Sequence, residues 1–452
     1  MNIIVAGSGK VGSTLTRQLA AEGYDVTVID SNPAKLETNV ERYDVICVVG
    51  NCASMDVLRQ ASVKDADLLI AATGRDEINL LCCTTAHAMN PRLHTIARIR
   101  DPGYTEQIYK MQDVFGLSMA INPENQAAIE IDRLLKYPGF LRRDTFAKGR
   151  TEIVELRVDA ASKLCNIKLM DLRNVVKCKV LVCAVIRGGS AITPGGDFVL
   201  REGDRLFITA LSENLTTLLT SLGILTRRVH RVMLCGGGRV SYYLAKRLIA
   251  ENISVTIIDK DEARCRELCA LLPRADIIHG DVTDQDLMDS EGLTRCDALV
   301  TLTGLDELNM IVSLYAGNSG VPRVITKLGR ADNRSVIDSL ALGSFVCPRE
   351  LCSSHIVRYV RAMQNQTGAA ISMHTIADGQ AEAMEFRVDG QTKHIGEPLK
   401  NIKLKPNILV VSISHGAATE IANGDSVFHV GDVVILVTNG RQALLQLNDI
   451  FA

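Results

Sequence analysis

At 452 residues, 47% hydrophobic but only 4% aromatic and without Trp, the chain can bury several cores. A prior of roughly 100 to 200 residues per domain allows two to four of them. Lys and Arg number 50 against 52 Asp and Glu, a formal net charge of −2, and the interleaving of both signs leaves no basic stripe, which excludes nucleic acid as an expected partner.

The chain opens on a strand, Asn2-Ile3-Ile4-Val5-Ala6, with no charged leader, and no apolar run approaches the length of a bilayer, so a soluble or peripheral protein is expected. From there to about Tyr137, short β-branched runs alternate with helical periodicity. The runs are Ile3–Val5, Val26–Ile29, Val45–Val49, Leu68–Ala71 and Thr95–Ala97. Such alternation predicts βαβ units and a parallel sheet. A last helix should begin at Asn122-Pro123, where Asn caps and Pro suits the first helical position, run past Ile129, Leu134 and Leu135, and stop at Pro138-Gly139. This helix is expected to leave the sheet and bridge to the next lobe.

Residues from about Thr151 to Leu222 read as a small α+β lobe of hairpins, with turns at Arg187-Gly188-Gly189 and Pro194-Gly195-Gly196-Asp197. A second parallel-sheet region begins at Arg231-Val232-Met233-Leu234, and a second small lobe closes the chain. Four segments are therefore expected: a Rossmann-like domain over 1–145, a small α+β subdomain over 146–228, a second Rossmann-like domain over 229–370 and a second small subdomain over 371–452. The fold class is α/β, by tandem duplication.

The duplication is explicit in the residues. Gly7-Ser8-Gly9-Lys10-Val11-Gly12 returns as Gly236-Gly237-Gly238-Arg239-Val240-Ser241, an offset of 236 − 7 = 229, and Asp30 returns as Asp259. Thr73-Gly74-Arg75-Asp76-Glu77 returns as Thr303-Gly304-Leu305-Asp306-Glu307.

The first copy is a complete dinucleotide fingerprint: strand, G-x-G-x-x-G, helix, strand, acid. Its first glycine permits the tight turn, its second lets backbone approach a pyrophosphate, and its third lets helix pack closely on strand, with helix N-terminal amides facing the anion. Asp30 is placed to accept ribose hydroxyls and would repel a 2′-phosphate, which favours NAD(H) over NADP(H). The second copy retains Gly236, Gly238 and Asp259, with Arg239 and Val240 between, but places Ser241 where the third glycine belongs. A Cβ and hydroxyl at that close approach leave open whether the second cradle takes NAD, another adenine nucleotide or none.

Other candidate residues follow the strands. Thr73 and Gly74, like Thr303 in the second copy, lie where the fourth strand ends; their spacing to Asp76 and Asp306 also fits a helix capping box, so ligand contact and capping both stand. Arg98 and Arg100 follow the fifth strand, and Arg98 corresponds to Lys327; a guanidinium there can clamp a diphosphate. Asn51 and Cys52, with Asp281 in the second copy, are placed toward the adenine side. Cys265 and Cys269 are spaced to share a helical face but have no nearby His or second pair, so no metal site is expected. The odd count of 13 cysteines, without a C-x-x-C pair, reads as buried packing in a reducing cytosol. The nine His residues form no evident constellation with a carboxylate and are read as surface or packing groups. A dehydrogenase ordinarily needs a proton-transferring side chain beside the nicotinamide; the competing reading, an NAD-dependent dehydrogenase with an unrecognised substrate site, therefore lacks its residues.

Taken together, the Gly7–Gly12 motif, Asp30, the Ala72–Asn79 stretch, Arg98 within Ile96–Asp101, and the Gly203-Asp204 and Gly431-Asp432 turns resemble the RCK (also called KTN) family. The tandem arrangement resembles the peripheral NAD-binding regulatory subunit of Trk-type bacterial potassium uptake systems. The resemblance implies no catalysis. It implies NAD or NADH as ligand with ATP or ADP as further ligands, and a homo-oligomer of four chains. It also implies a cytoplasmic protein held at the inner face of the plasma membrane by an integral-membrane potassium transporter subunit, whose gate it controls. Ser241 departs from the family's usual glycine.

Overall fold

The computed structural model describes the chain except residues 137–139, 161, 224–228, 330–339, 341–342, 365–369, 378–379, 440–443 and 445, and except the side chains of 38–41, 105, 106, 109, 141, 142, 148, 362, 364 and 375. The expected helix stop at Pro138-Gly139 and the expected boundary at Arg228 lie outside the described residues. By internal contacts the chain forms two compact units: Met1–Asp132 with Arg231–Leu342 and Val346–Val357, and Arg133–His230 with Gly343–Phe345 and Arg358–Ala452. The two parallel-sheet regions thus share one unit, and the two small lobes share the other.

In the first unit the leading domain runs β1 (Asn2–Ala6), α1 (Lys10–Ala21), β2 (Asp25–Asp30), α2 (Pro33–Arg42), β3 (Ile46–Val49), α3 (Met55–Gln60), β4 (Leu68–Ala71), α4 (Asp76–Met89), β5 (His94–Arg98), α5 (Pro102–Lys110), β6 (Met119–Ile121) and α6 (Pro123–Lys136). Its sheet is ordered β3-β2-β1-β4-β5-β6 with every pair parallel, the doubly wound Rossmann order that reverses between β1 and β4. The five strands expected from the β-branched runs are present. A sixth, the three-residue β6, is too short to show in a periodicity. All of β4 is buried, as befits a central strand covered on both faces. Helix α4 turns Asn79, Cys82, Cys83 and Ala86 to the core, a spacing that keeps one face of a 3.6-residue repeat. Asn122 does cap α6, its Oδ1 accepting the Asn125 N–H at 2.9 Å.

These elements recur in order: β12 (Arg231–Cys235), α9 (Arg239–Ala250), β13 (Ser254–Asp259), α10 (Glu262–Leu271), β14 (Asp276–His279), α11 (Gln285–Ser290), β15 (Ala298–Thr301), α12 (Asp306–Asn318), β16 (Val324–Lys327), β17 (Ser344–Val346) and α13 (Pro348–Gln364). The sheet order, β14-β13-β12-β15-β16-β17, is the same. Inside this unit the two domains are joined by buried polar contacts. The Tyr243 hydroxyl donates to the Arg100 carbonyl at 3.0 Å and accepts from Asn122 Nδ2 at 2.9 Å, and Arg247 pairs with the buried Asp132 at 3.0 Å.

The second unit holds two antiparallel sheets. The first comprises β7 (Phe140–Phe146), β8 (Thr151–Arg157), β9 (Val180–Arg187), β10 (Ser190–Ile192) and β11 (Arg205–Leu211), with short helices α7 (Leu172–Val175) and α8 (Leu215–Ser221). The second comprises β18 (Ser372–Ile376), β19 (Ala381–Arg387), β20 (Ile408–His415), β21 (Ala418–Ile421) and β22 (Val433–Asn439). Their orders, β10-β9-β11-β8-β7 and β18-β19-β22-β20-β21, are one topology written from opposite ends. A shared apolar core, including Phe146, Ile153, Phe207, Ile376, Val411 and Ile435, joins the two lobes. Burying such side chains stabilises by about 1.5 to 3 kcal/mol each. No described helix is long and apolar enough to cross a membrane.

Candidate functional site

The site begins at the β1–α1 turn. Gly7 adopts φ +101° and lies so close to the β4 end that a Cβ there would sit 2.9 Å from Thr73 Cα and N. Only glycine permits both the left-handed backbone and that approach. Gly9 is the N-cap of α1, no side chain caps the helix, and a Cβ on Gly9 would meet nothing within 4 Å. The first intrahelical bond is Ser13 N–H to the Gly9 carbonyl, so the amides of the first turn have no partner within the helix, the arrangement in which a helix N-terminus stabilises an anion. A Cβ on Gly12 would lie 1.8 Å from the Gly7 carbonyl oxygen, which accounts for the third glycine. Lys10 is exposed, and Val11 is buried, so Val11 gives its side chain to the core.

Asp30, at the end of β2, accepts the Ser8 N–H at 2.7 Å with one carboxylate oxygen and the Asn32 N–H at 2.9 Å with the other. This fixes the acid against the glycine loop while each oxygen keeps a further lone pair for a ribose hydroxyl. Across the β1/β4 reversal, Arg98 donates from Nη2 to the Thr73 carbonyl at 2.6 Å, and its buried Nε has no hydrogen-bond partner. Burial, and then the neighbouring Arg100, lower the pKa of Arg98. A half-desolvated guanidinium with an unused donor attracts an anion more strongly than a solvated one. Gly7, Ser8, Gly9, Asp30, Thr73 and Arg98 are thus brought together at one sheet edge, with Gly74 exposed beside them.

Two expectations change. Thr73 does not open a capping box: Arg75 is the N-cap of α4 with no side-chain cap bond, and Asp76 instead accepts the Arg100 and Asp101 amides at 2.7 and 2.8 Å. The Thr73 amide and hydroxyl both turn to Asn79 Oδ1, at 2.8 and 2.7 Å. Cys52 points inward, 5% exposed and in contact with Cys82, whose hydrogen bond lowers the Cys52 pKa against the effect of burial; only its backbone remains near the cleft. Asn51 is exposed and folds its side chain onto the Ala53 amide at 3.1 Å.

The second cradle has the same backbone. Gly236 takes φ +106° and a Cβ on it would lie 3.0 Å from Leu302 C and Thr303 N, Gly238 is the uncapped N-cap of α9, and a Cβ on Gly238 would meet nothing within 4 Å. Asp259 accepts the Gly237 amide and, at 2.8 Å, the Asp261 amide. Thr303 N–H bonds Asn309 Oδ1 at 3.0 Å, and Lys327, its pKa lowered by burial, donates to the Leu302 carbonyl at 3.1 Å. Ser241 does not spoil the geometry. It is fully buried and its hydroxyl donates to the Gly236 carbonyl, so the side chain that stands in place of a third glycine has a polar partner at the close approach. Arg239 is exposed and Val240 buried, as Lys10 and Val11 are. Asp281 is exposed, its carboxylate pKa lowered by the Thr283 amide and hydroxyl.

Several roles escaped the sequence reading, which quoted Asn79 only as the end of the Ala72–Asn79 stretch. Asn79 and Asn309, fully buried, donate to the Arg98 and Lys327 carbonyls at 2.8 and 3.0 Å and so tie the ends of adjacent strands together. Their signal was an amide on the buried face of a helix. Arg264 in α10 donates to the Gly237 carbonyl at 2.7 Å, a contact without a sequence signature. Nor do the histidines lack carboxylates: His374 Nδ1 lies 3.0 Å from Asp144 Oδ1, and His415 Nδ1 lies 2.8 Å from Asp432 Oδ2. The chain distances, 230 residues in the first case, hid them. Cys265 is buried but Cys269 is exposed, so the pair does not share a packed face.

Comparison with known proteins matches the TrkA-N domain model at residues 3–123 and 232–348, and the TrkA-C domain model at 153–223. The chain is 28% identical over 458 residues to the Trk system potassium uptake protein TrkA of Vibrio alginolyticus and 30% identical over 456 residues to that of Halomonas elongata, covering 100% of this chain and 98% of the relative in each case. Among solved structures, the GsuK RCK domain superposes with a TM-score of 0.62 at 16% identity, covering 97% of this chain and 92% of that one. The GsuK channel bound to NAD does so with a TM-score of 0.60 at 18% identity, covering 97% and 76%. At these identities the structural likeness establishes the fold: tandem Rossmann-like domains, each followed by an antiparallel lobe.

Proposed function

The chain belongs to the TrkA-N domain family, and from that premise we propose that it is a non-catalytic regulatory subunit of a potassium uptake system, controlled by adenine nucleotides. The observation that carries the proposal is the repeated cleft edge, Gly7–Asp30–Thr73–Arg98 and Gly236–Asp259–Thr303–Lys327, placed twice in one compact unit. The first cradle is assigned NAD or NADH, with Gly7, Ser8, Gly9, Lys10, Val11 and Gly12 around the pyrophosphate, Asp30 on a ribose, Arg98 near the phosphates, Gly74 beside them and the Asn51-Cys52 backbone on the adenine side. The second is assigned an adenine nucleotide, with ATP or ADP as alternatives to NAD, held by Gly236, Gly238, Arg239, Val240, Asp259, Asp281, Thr303 and Lys327. The division into 1–145, 146–228, 229–370 and 371–452 is the domain organisation that this reading uses. A channel of the same fold solved with NAD bound makes NAD(H) the first ligand to test.

When bound, the dinucleotide supplies charge and contact area, not hydride transfer. The chain's own residues convert occupancy into a change of pose. The Arg100 guanidinium donates to the Gly74 carbonyl. Its carbonyl accepts the Tyr243 hydroxyl at 3.0 Å, and Tyr243 stands in α9, whose N-terminus is the second cradle. A hydrogen-bonded path therefore runs from one site to the other. A nucleotide that prefers one arrangement of this path shifts its population, and a coupling of about 1 to 3 kcal/mol changes affinity roughly 5- to 150-fold.

The assembly proposed is a homo-tetramer attached at the cytoplasmic face to an integral-membrane potassium transporter subunit, with the small lobes and the helices beginning at Pro123 and Pro348 as candidate contact surfaces. Potassium flux through a co-reconstituted membrane subunit tests it. Flux that varies with nucleotide supports the proposal; flux indifferent to NADH, NAD+, ATP and ADP overturns the regulatory role. Steady NADH oxidation with a defined metabolite would instead favour a dehydrogenase.

A further inference from the structure

The two small lobes carry the same turn around the same buried acid. Asp204 immediately precedes β11 and Asp432 immediately precedes β22, following Gly203 at φ +86° and Gly431 at φ +94°. In the first lobe the Arg201 amide donates to Asp204 Oδ2 at 2.8 Å; in the second the His429 amide donates to Asp432 Oδ2 at 2.7 Å. The residue that ends β9 is Arg187, and the residue that ends β20 is His415. Arg187 binds Asp204 with both Nε and Nη2, at 2.8 and 2.7 Å, and stacks 4.4 Å over the Phe198 ring. At the two positions where the first lobe has Arg187 and Arg201, the second has His415 and His429.

The exchange replaces two permanent cations with two potential ligands. His415 Nδ1 lies 2.8 Å and His429 Nδ1 3.6 Å from Asp432 Oδ2, all three ligand atoms fall within 4.8 Å of one another, and the rings meet at 69°. A tetrahedral ion with ligands at about 2.0 to 2.1 Å needs its donor atoms roughly 3.3 Å apart, and the two measured separations bracket that value. The Asp432 side chain is 6% exposed and held by backbone, whereas His429 is 60% exposed. The site therefore has one fixed ligand, one partly covered ligand and an open side for water.

We propose that His415, His429 and Asp432 bind a divalent late first-row transition cation such as Zn2+, through two imidazole Nδ1 atoms and one carboxylate oxygen, with solvent in the remaining position. Nitrogen donors suit such ions, and Ca2+ and Mg2+ require six or more oxygens. Binding deprotonates Nδ1 of each ring and ties the end of β20 to the turn before β22. The site is independent of the nucleotide assignment, because every ligand comes from the second small lobe.

The test is titration of tag-free, chelator-stripped full-length chain with Zn2+, beside a His415→Arg/His429→Arg variant that restores the side chains of the first lobe. One ion per chain is expected in the parent, with affinity reduced roughly 100-fold or more in the variant, since disturbing even the supporting partners of metal ligands costs about 10- to 100-fold. No bound ion in the parent, or equal affinity in the variant, overturns the site. Should the variant fail to fold, Co2+ loaded into the parent decides: a tetrahedral d–d spectrum without thiolate charge transfer supports the assignment, and a thiolate band, placing the ion on cysteine, overturns it.

Discussion

The two cradles of the first unit differ at one of the three glycines and scarcely at all in backbone. Gly7 and Gly236 have φ within a few degrees of each other, both helices begin at an uncapped glycine, and both acids grip the loop amide. Yet position three is Gly12 in one and Ser241 in the other. The reason for a third glycine is proximity to a carbonyl oxygen, and a serine hydroxyl can meet that oxygen as a donor. The motif constrains an interaction more than a residue, so a strict glycine pattern undervalues the second cradle. The small lobes show the converse: an unchanged turn whose partners were exchanged, arginine for histidine, with a change of chemistry.

Breaking the first comparison at its tightest point should have the largest effect. Gly12→Val introduces a β-branched side chain with no donor where a Cβ would lie 1.8 Å from the Gly7 oxygen, and should cost at least roughly 4 kcal/mol in urea unfolding, the range reserved for severe steric mechanisms. Next, Arg187→Ala leaves the buried Asp204 without its bidentate partner and should cost about 3 kcal/mol.

The pH response of Arg187→Ala has a definite sign. Burial alone would raise the Asp204 pKa, but the Arg187 hydrogen bonds, the Arg201 amide and both guanidinium charges outweigh it and hold it below the ordinary carboxylate value. The parent's stabilisation is therefore present above the unfolded pKa and lost as pH falls through the folded one. In the variant, acid unfolding should begin at higher pH, which a pH series of thermal melts reads directly.

Tyr243→Phe removes the hydroxyl shared by Arg100 and Asn122. It should cost about 2 kcal/mol and weaken the effect of nucleotide at one cradle on affinity at the other, measured by paired titrations. An unchanged coupling would remove the hydrogen-bonded path from the mechanism. Smallest, Ser241→Ala keeps the Cβ but deletes the bond to Gly236, and should cost about 1 kcal/mol while leaving NADH affinity at the first cradle unaltered.

What the sequence made legible was local. Strand and helix periods, the glycine spacing, Asp30 and the internal duplication all reside in short windows, and the five longer strands of the leading sheet appear where the β-branched runs place them. What it concealed depends on chain segments meeting from afar or on geometry within a turn. The capping-box reading of Thr73 failed because the helix begins two residues later, at Arg75, and the Thr73 hydroxyl donates to Asn79 Oδ1 instead of accepting a helix amide. Cys52 follows a cleft residue in sequence but is drawn into the core by Cys82. His415, His429 and Asp432 gain meaning only when β20 and β22 pair, which places them around one carboxylate. The pairing of parallel-sheet regions in one unit and lobes in another also joins segments about 100 residues apart, beyond the reach of any local pattern.

Uptake of an adenine dinucleotide by the first cradle, through Asp30 and the amides of α1, is open to calorimetric titration of the folded chain with NADH. The parent should take up NADH, Asp30→Ala should lose roughly 10- to 150-fold in affinity, the span of about 1.5 to 3 kcal/mol for hydrogen bonds to a charged group, and Asp259→Ala should retain first-site affinity. Absence of uptake of NADH, NAD+, ATP and ADP, or equal NADH affinity in Asp30→Ala, would contradict dinucleotide binding at that cradle.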